Sequence, residues 1–240
     1  MTEAGAATLR PDGRVVMISG ANRGIGLAIA EHLSGLGYSL SLGARRPESV
    51  AGFAGETVLT HGFEATRASD AADWVAATMA RFGRIDALIN CAGILHDVGL
   101  DEGDEALLDE MWTVNVKAPF RLGRLCLPHL RKAGTGRIVN IVSTAGLRFR
   151  GGSAGYAITK FATMGLSHAT RFAGWEDGVR VTALCPGPVA TDMGIANVGM
   201  PAEEMTQPET VAAVVAMLLS LPNTASVVQL PVHSILEPTV

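Results

Sequence analysis

Tyr156 and Lys160, in the stretch "GSAGYAITKFA", stand four residues apart. On a helix, positions i and i+4 share one face a turn apart, so a phenol and an ammonium reach the same small volume. An ammonium there favours the phenolate and draws the phenol below its usual pKa of about 10. Such a pair can give and take a proton near neutral pH. Taken alone, the spacing also fits a buried tyrosine beside a surface lysine, so its meaning depends on what else the chain brings to the same place.

A second chemical signal lies near the N-terminus. The run "RVVMIS" leads into "SGANRGIGLAIAEHL", which places Gly20, Gly24 and Gly26 where a strand turns into a helix. Glycine permits a tight turn and close backbone approach, and a helix N-terminus offers free N–H groups to a pyrophosphate. Asn22, Arg23 and Ile25 fill out that turn. At the end of the next strand, where an acidic residue would bond a ribose 2′-hydroxyl, the chain reads "GARRPES". Arg45 and Arg46 occupy that place, and Arg23 adds a third guanidinium from the glycine turn. Arginine grips phosphate oxygens in pairs, so this arrangement favours NADP(H), with NAD(H) as the alternative.

These signals need a scaffold, and the periodicity supplies one. Apolar, β-branched runs predict strands at 14–19, 38–43, 57–61, 86–90, 137–142, 179–185 and 226–231. Helical patterns fall between them at 24–36, 67–82, 104–132, 154–173 and 208–221. Most strands are apolar on both faces, as in a sheet covered on both sides. The alternation predicts an α/β fold: one doubly wound, seven-stranded parallel sheet with right-handed crossovers, a Rossmann fold. No repeat or linker divides the chain, so residues 1–240 read as a single dinucleotide-binding and catalytic domain.

Composition narrows the function. Hydrophobic residues make up 48% and charged residues 18%, a globular balance. The net charge of −4 and the absence of long basic runs argue against nucleic acid as a partner. No apolar run is long enough to span a bilayer, and the N-terminus lacks the pattern of an export signal. Three widely spaced cysteines, Cys91, Cys126 and Cys185, suggest neither a disulfide framework nor a metal site. A cytoplasmic setting, no membrane and no metal are the resulting expectations.

Together these residues resemble the short-chain dehydrogenase/reductase family over nearly the whole chain. The family's Thr-Gly-x-x-x-Gly-x-Gly is matched from Ser19 to Gly26, with serine for threonine. Its Asn-Asn-Ala-Gly is matched by Asn90, Cys91, Ala92 and Gly93, with cysteine for the second asparagine. Its active-site tetrad is matched by Asn115 in "MWTVNVKAPF", Ser143 in "IVNIVSTAG", Tyr156 and Lys160, and its Pro-Gly segment by "CPGPVATDM". The resemblance implies hydride transfer between nicotinamide and a small carbonyl or alcohol. Ser143 would bond the substrate oxygen, Tyr156 would act as acid and base, and Lys160 would hold the nicotinamide ribose. Asn115 would position a water beside Lys160. Pro186, Gly187, Val189 and Thr191 would seat the nicotinamide, and Glu64 in "GFEATRASD" would meet the adenine.

The resemblance also implies a homodimer or homotetramer, paired through the helix from 104 and the helix carrying Tyr156, with Pro119 interrupting the former. A substrate-closing loop is expected at about 193–207, with Met193, Ile195, Val198, Met200 and Met205. His96 and Asp97 border the predicted substrate mouth, while Trp74, Met111 and Trp112 read as core or interface. Two other readings remain open: a reductase of 3-oxoacyl groups on a carrier protein, disfavoured by the acidic "WEDG", and a non-catalytic dinucleotide sensor. Arg148 and Arg150, in "TAGLRFRGGSAG" between Ser143 and Tyr156, suit either solvated loop positions or a substrate carboxylate.

Overall fold

The alternating strands and helices form one seven-stranded sheet in the order β3-β2-β1-β4-β5-β6-β7. This computed structural model describes residues 8–50, 52–53 and 55–236. The expectation about an N-terminal export signal therefore falls partly on residues outside the described ones, and the C-terminal stretch is described only to Leu236. The strands are β1 (Val15–Ser19), β2 (Ser39–Ala44), β3 (Val58–Gly62), β4 (Ala87–Asn90), β5 (Arg137–Ile141), β6 (Arg180–Pro186) and β7 (Gln229–Val232). Every pairing is parallel.

Side-chain alternation sets the two faces. Val16 and Ile18 of β1 pack into the core beneath α1 (Gly24–Gly35) and α7 (Pro208–Ser220). Met17, between them, points to the opposite core, beneath α2 (Ala68–Phe82) and the helix ending at Ala133. On β2 the alternation also places polarity. Leu40 and Leu42 enter the first core, while Ser41 turns toward α2 and accepts a hydrogen bond from Trp74 Nε1 at 2.8 Å. Thr78 Oγ1 lies 2.7 Å from the same hydroxyl. A β-carbon at Gly43, the next residue on that face, would stand 2.6 Å from the Trp74 ring. The small residues in "SLSLG" make room for one fully buried indole.

The long helix expected at 104–132 is broken. It runs as α3 (Glu105–Trp112), a π-helical turn over Thr113–Lys117, and α4 (Ala118–Ala133). Pro119 lies just after the turn, at the start of α4, and has no N–H to offer the Asn115 carbonyl four residues back. Thr163 Oγ1, on α5 (Ala154–Gly174), shares its proton between that carbonyl, at 3.0 Å, and Thr159 O of its own helix, at 2.8 Å. The break thus falls on a predicted site residue, as single π turns often do. Two further corrections concern the substrate side. Strand β7 begins at Gln229, not 226, and the segment expected as a loop at 193–207 contains the short helix α6 (Asp192–Asn197) and a 3-10 turn at Ala202–Glu204.

The strand order reverses between β1 and β4, whose neighbours β2 and β5 lead outward in opposite directions. At such a switch point the carboxyl ends of the strands open a crevice. The predicted site residues cluster at and beyond the carboxyl ends of β1 to β6, with Glu64 just after β3.

Candidate active site

One cleft of about 380 Å³ opens at this crevice. Its floor is the glycine turn between β1 and α1. Gly20 has φ +71° and its absent β-carbon would stand 2.9 Å from Ala92 Cα; at Gly26 a β-carbon would overlap the Gly20 carbonyl. No side chain fits at either position, so the backbone itself lines the cleft. Beside it, Ser19 Oγ accepts from the N–H groups of Cys91 (3.1 Å) and Ala92 (3.2 Å). The hydroxyl ties the end of β1 to the turn after β4, which accounts for serine serving where the resembled motif has threonine.

The wall that carries the candidate catalytic residues comes from β5 and α5. Ser143 is the single described non-glycine residue at positive φ, +147°. Its Oγ accepts from Ala145 N at 3.1 Å, opening a 3-10 turn at Thr144–Gly146. Strain of this kind clusters at functional sites. The start of α5 is pinned from two directions: Ser153 Oγ caps Tyr156 N at 3.1 Å, and Gly155 N donates to Val98 O at 2.9 Å. Tyr156 is half-buried and Lys160 buried one turn on, its Nζ 5.4 Å from the centre of the Tyr156 ring. Lys160 Nζ donates to Ile141 O at 3.0 Å, fixing the ammonium at the end of β5. Ser143, Tyr156 and Lys160 all line the cleft.

Asn115 stands behind that wall. Its Oδ1 accepts from Ile94 N and its Nδ2 donates to Ile94 O, each at 2.9 Å, while Nδ2 also donates to Thr159 Oγ1 at 3.0 Å. Both amide protons are spent. The side chain clamps the loop after Gly93 to α5.

At the far end of the cleft, Arg45 and Glu64 both line the wall. Glu64 Oε1 accepts from Thr66 N at 3.3 Å, and its own N–H is held by Asp70 Oδ2 at 2.9 Å. Arg23 also lines the cleft, but its Nη1 makes an ion pair with Asp192 Oδ2 at 3.4 Å, reaching from the glycine turn to the first residue of α6. Thr191 caps that helix by accepting from Gly194 N at 3.1 Å. Pro186, Gly187, Val189 and Thr191 form the remaining side.

The family model for short chain dehydrogenase matches residues 14–201. This chain belongs to the short-chain dehydrogenase/reductase family. An alcohol dehydrogenase from the archaeon Thermococcus sibiricus, solved with 5-hydroxy-NADP, superposes with a TM-score of 0.86 at 31% identity, covering 95% of this chain and 99% of that one. An agropine synthesis reductase of Rhizobium rhizogenes is 42% identical over 89% of this chain; the chain spans 50% of that relative's length. A D-beta-hydroxybutyrate dehydrogenase of Rhizobium meliloti is 34% identical, over 75% of this chain and 73% of its own.

Three of the residues expected to contact cofactor or water lie outside the cleft lining. Arg46 is exposed and lies outside the cleft lining, which leaves Arg45 and Arg23 as the guanidiniums at the dinucleotide end. Asn90 does not line the cleft either: its Nδ2 donates to Asn140 Oδ1 at 2.7 Å, and Asn140 Nδ2 donates to Ser167 Oγ at 2.8 Å, a polar chain running into the sheet. Asn115, as above, faces Ile94. Other wall residues carried no sequence signal: Leu95, Glu110, Val114 and Asn197 line the cleft without belonging to a motif. Glu110 Oε2 also lies 2.9 Å from His96 Nε2, which ties the predicted substrate-mouth histidine to α3. Asp97 borders a separate acidic depression outside the cleft. Trp74 and Met111 are core residues, and Trp112 is partly exposed.

Proposed function

We propose that this chain is an NADP(H)-preferring reductase of a small carbonyl compound, with Tyr156 as proton donor and, in the reverse direction, as base. The observation that carries the reading is one cleft holding a phosphate-type glycine turn at one end and Ser143, Tyr156 and Lys160 at the other. A nicotinamide dinucleotide fits the residues present: backbone crowding at Gly20 and Gly26 leaves a wall without side chains for the pyrophosphate, and Val189 and Thr191 flank the nicotinamide end. When bound, the cofactor supplies the hydride.

The chain's own residues orient and protonate. Ser143 Oγ bonds the substrate oxygen and turns the carbonyl toward the Tyr156 hydroxyl. Tyr156 delivers the proton to that oxygen as charge develops on it. Lys160, held by Ile141 O, keeps a positive charge beside the phenol and presents its remaining N–H donors to ribose hydroxyls. Preference for the 2′-phosphate rests on Arg45, in the cleft wall directly after β2, with no acidic residue before Glu48 to bond a free ribose hydroxyl. The 5-hydroxy-NADP in the archaeal neighbour supports that choice. The hydroxy acid in the name of the Rhizobium meliloti relative supports a small alcohol or carbonyl substrate. Exposed Phe120 on α4, with Ile158, Phe161 and Phe172 on α5, gives a second copy of the chain an apolar face to cover.

The test is oxidation of NADPH and of NADH across a panel of small ketones, aldehydes and oxo acids. Turnover faster with NADPH supports the reading. Tight dinucleotide binding with no turnover on any carbonyl would turn it into a sensor, and turnover restricted to carrier-bound acyl groups would turn it into a carrier-protein reductase.

A further inference from the structure

Glu110 lines the cleft but has no part in the mechanism above. The other two carboxylates of the lining are engaged elsewhere. Glu64 Oε1 accepts from Thr66 N at 3.3 Å, and Asp192 Oδ2 pairs with Arg23 Nη1 at 3.4 Å. Glu110 Oε2 lies 2.9 Å from His96 Nε2, and Oε1 has no hydrogen-bond partner among the described residues. A carboxylate only accepts, so His96 donates from Nε2 and fixes one oxygen while the other stays open. The two side chains remain 48% and 32% exposed, and a pair this open adds little to stability. Holding the fold together does not account for a carboxylate in the cleft wall.

The packing around Glu110 places it at the Tyr156 end of the cleft. Met111, the next residue of α3, holds its Cε 2.9 Å from where a β-carbon of Gly155 would stand. Leu108 Cδ1 is 3.3 Å from the same point, and Gly155 immediately precedes Tyr156. His96 N donates to Met111 Sδ at 3.3 Å, and Gly155 N donates to Val98 O at 2.9 Å. The loop after β4 is thus held between α3 and the start of α5. Ile94 and Leu95 of that loop line the cleft, as does Val114, four residues beyond Glu110. Beside the three apolar side chains stands one carboxylate.

We propose that Glu110, oriented by His96, sets specificity by accepting a hydrogen bond from a hydroxyl of the substrate, which makes the preferred substrate a hydroxylated ketone or aldehyde. This rests on the reductase reading above and narrows it. Lys160 lies in the same cleft, so a substrate cation would meet repulsion there, and a substrate carboxylate would meet repulsion from Glu110 itself. A neutral hydroxyl meets neither, and its hydrogen bond to an ionised acceptor is of the stronger kind. Anchoring the hydroxyl at Glu110 holds the carbonyl of the same molecule toward Ser143 and Tyr156. In the reaction that hydroxyl is unchanged: the carbonyl carbon gains hydride from NADPH, its oxygen gains the Tyr156 proton, and a diol and NADP leave. His96 touches none of the reacting atoms and is a positioning residue.

Two measurements test it. In the first, kcat/KM with NADPH is determined for ketones whose single hydroxyl is stepped away from the carbonyl one carbon at a time, and for the deoxy counterpart of each. The wild type should favour the hydroxy ketone by about tenfold or more at the best distance, as one hydrogen bond to a charged group would give. Glu110→Ala should bring that ratio close to one, and Glu110→Gln should retain part of it. Dividing by the deoxy ketone removes any general loss of activity. His96→Ala should raise KM for the hydroxy ketone more than it lowers kcat, because it loosens the acceptor and leaves the reacting atoms alone. An unchanged KM removes His96 from the proposal. In the second, thermal unfolding of the NADPH-loaded protein is followed with a diol and with its mono-alcohol, neither of which the reduced cofactor can oxidise. The wild type should gain more stability from the diol, and Glu110→Ala should gain equally from both. A hydroxy-to-deoxy ratio that survives Glu110→Ala, or a diol advantage identical in wild type and variant, overturns the subsite. So does a ketone bearing a quaternary ammonium group, if Glu110 favours it over the hydroxy ketone. Absence of turnover on every ketone overturns the reductase reading, and the diol advantage then still decides the subsite by itself.

Discussion

The two ends of the cleft are built differently. At the dinucleotide end the wall is backbone: Gly20 and Gly26 leave no space for side chains, and Ser19 Oγ locks two successive N–H groups across from β1 to the turn after β4. At the substrate end the wall is side chains on short turns and helix starts, including Ser143 and Thr144 at the 3-10 turn, Tyr156 and Lys160 of α5, and Met193 and Asn197 of α6. A site for a constant ligand can be made of main chain, whose geometry few sequences reproduce. A site for a variable ligand has to be made of side chains that change without disturbing the sheet. Substitutions should therefore separate the two ends, with chemistry lost at one and cofactor choice lost at the other.

The largest effect is expected at the junction. Tyr156→Phe removes only the hydroxyl and leaves the ring packed near Lys160 Nζ. Loss of an acid–base group lowers kcat by about 10²–10⁴-fold, while the dinucleotide Kd should change little. Stopped-flow turnover and fluorescence titration of NADPH on the same preparation measure both. A kcat near the wild-type value would remove Tyr156 from the proton path.

Next in size is a change confined to the dinucleotide end. Arg45→Asp replaces the guanidinium in the cleft wall with an acceptor for ribose hydroxyls. A charge-assisted hydrogen bond contributes about 1.5–3 kcal/mol, so the NADP-to-NAD preference should move by roughly 10–100-fold. Arg46→Asp, at an exposed position outside the wall, should move it far less. Equal shifts for the two would mean that both arginines reach the phosphate.

This contrast also explains what the sequence made legible. The glycine turn, the Tyr156–Lys160 spacing and the strand alternation are tied to local backbone geometry, so residue type and separation in the chain report them. The π turn at Thr113–Lys117 is not legible as such: Pro119 announces a break, but the turn falls just before it, where Thr163 of another helix lies within hydrogen-bond distance of the Asn115 carbonyl. Arg45 and Arg46 look alike in sequence, yet the chain turns directly after β2 and, of the two, Arg45 lines the cleft. The motif around Asn90 points to the cofactor, while the pairing of β4 with β5 sends its amide to Asn140. Glu110 has no local pattern at all. Its place in the cleft wall follows from α3 packing against the loop after β4 and the start of α5, contacts between separate parts of the chain.

A smaller effect, on stability, sharpens the picture at Ser143. A residue held at φ +147° costs of the order of 1–3 kcal/mol in backbone strain, which glycine relieves. Glycine gives back about 0.4–1 kcal/mol through the entropy of the unfolded chain. Glycine, like alanine, also loses the Oγ acceptor for Ala145 N, about 0.5–1.5 kcal/mol, so Ser143→Gly should unfold within a few degrees of wild type, at about 2–4 °C per kcal/mol. Ser143→Ala keeps the strain and loses the acceptor for Ala145 N, so it should unfold below wild type. Both should lose most turnover, since neither can bond the substrate oxygen. Calorimetry of the three proteins decides it, and an alanine variant more stable than the glycine variant would show that Ser143 is not strained.

The smallest effect expected is at Cys91, in the backbone-built end. The residue lines the cleft, where a family asparagine would offer an amide, and a reactive thiol there would be an obvious point of attack. Its surroundings argue otherwise. Cys91 packs against the core beneath α1, its N–H is held by Ser19 Oγ, and burial pushes the thiol up to about 12, with the Lys160 charge pulling the other way more weakly. Burial also raises Cys126 to about 12 and Cys185 to about 11. Alkylation needs the thiolate, and an ordinary thiol with a pKa near 8.5 supplies it readily at mildly alkaline pH. A thiol raised this far supplies almost none at pH 7.5 or pH 9, and its reactivity should climb only as the pH approaches the raised values. Incubation with iodoacetamide at both pH values should leave activity and intact mass unchanged over hours. Rapid inactivation at pH 7.5, slowed by NADP(H), would show that the cleft wall opens at Cys91 and that the dinucleotide end is less firmly closed than its backbone packing implies.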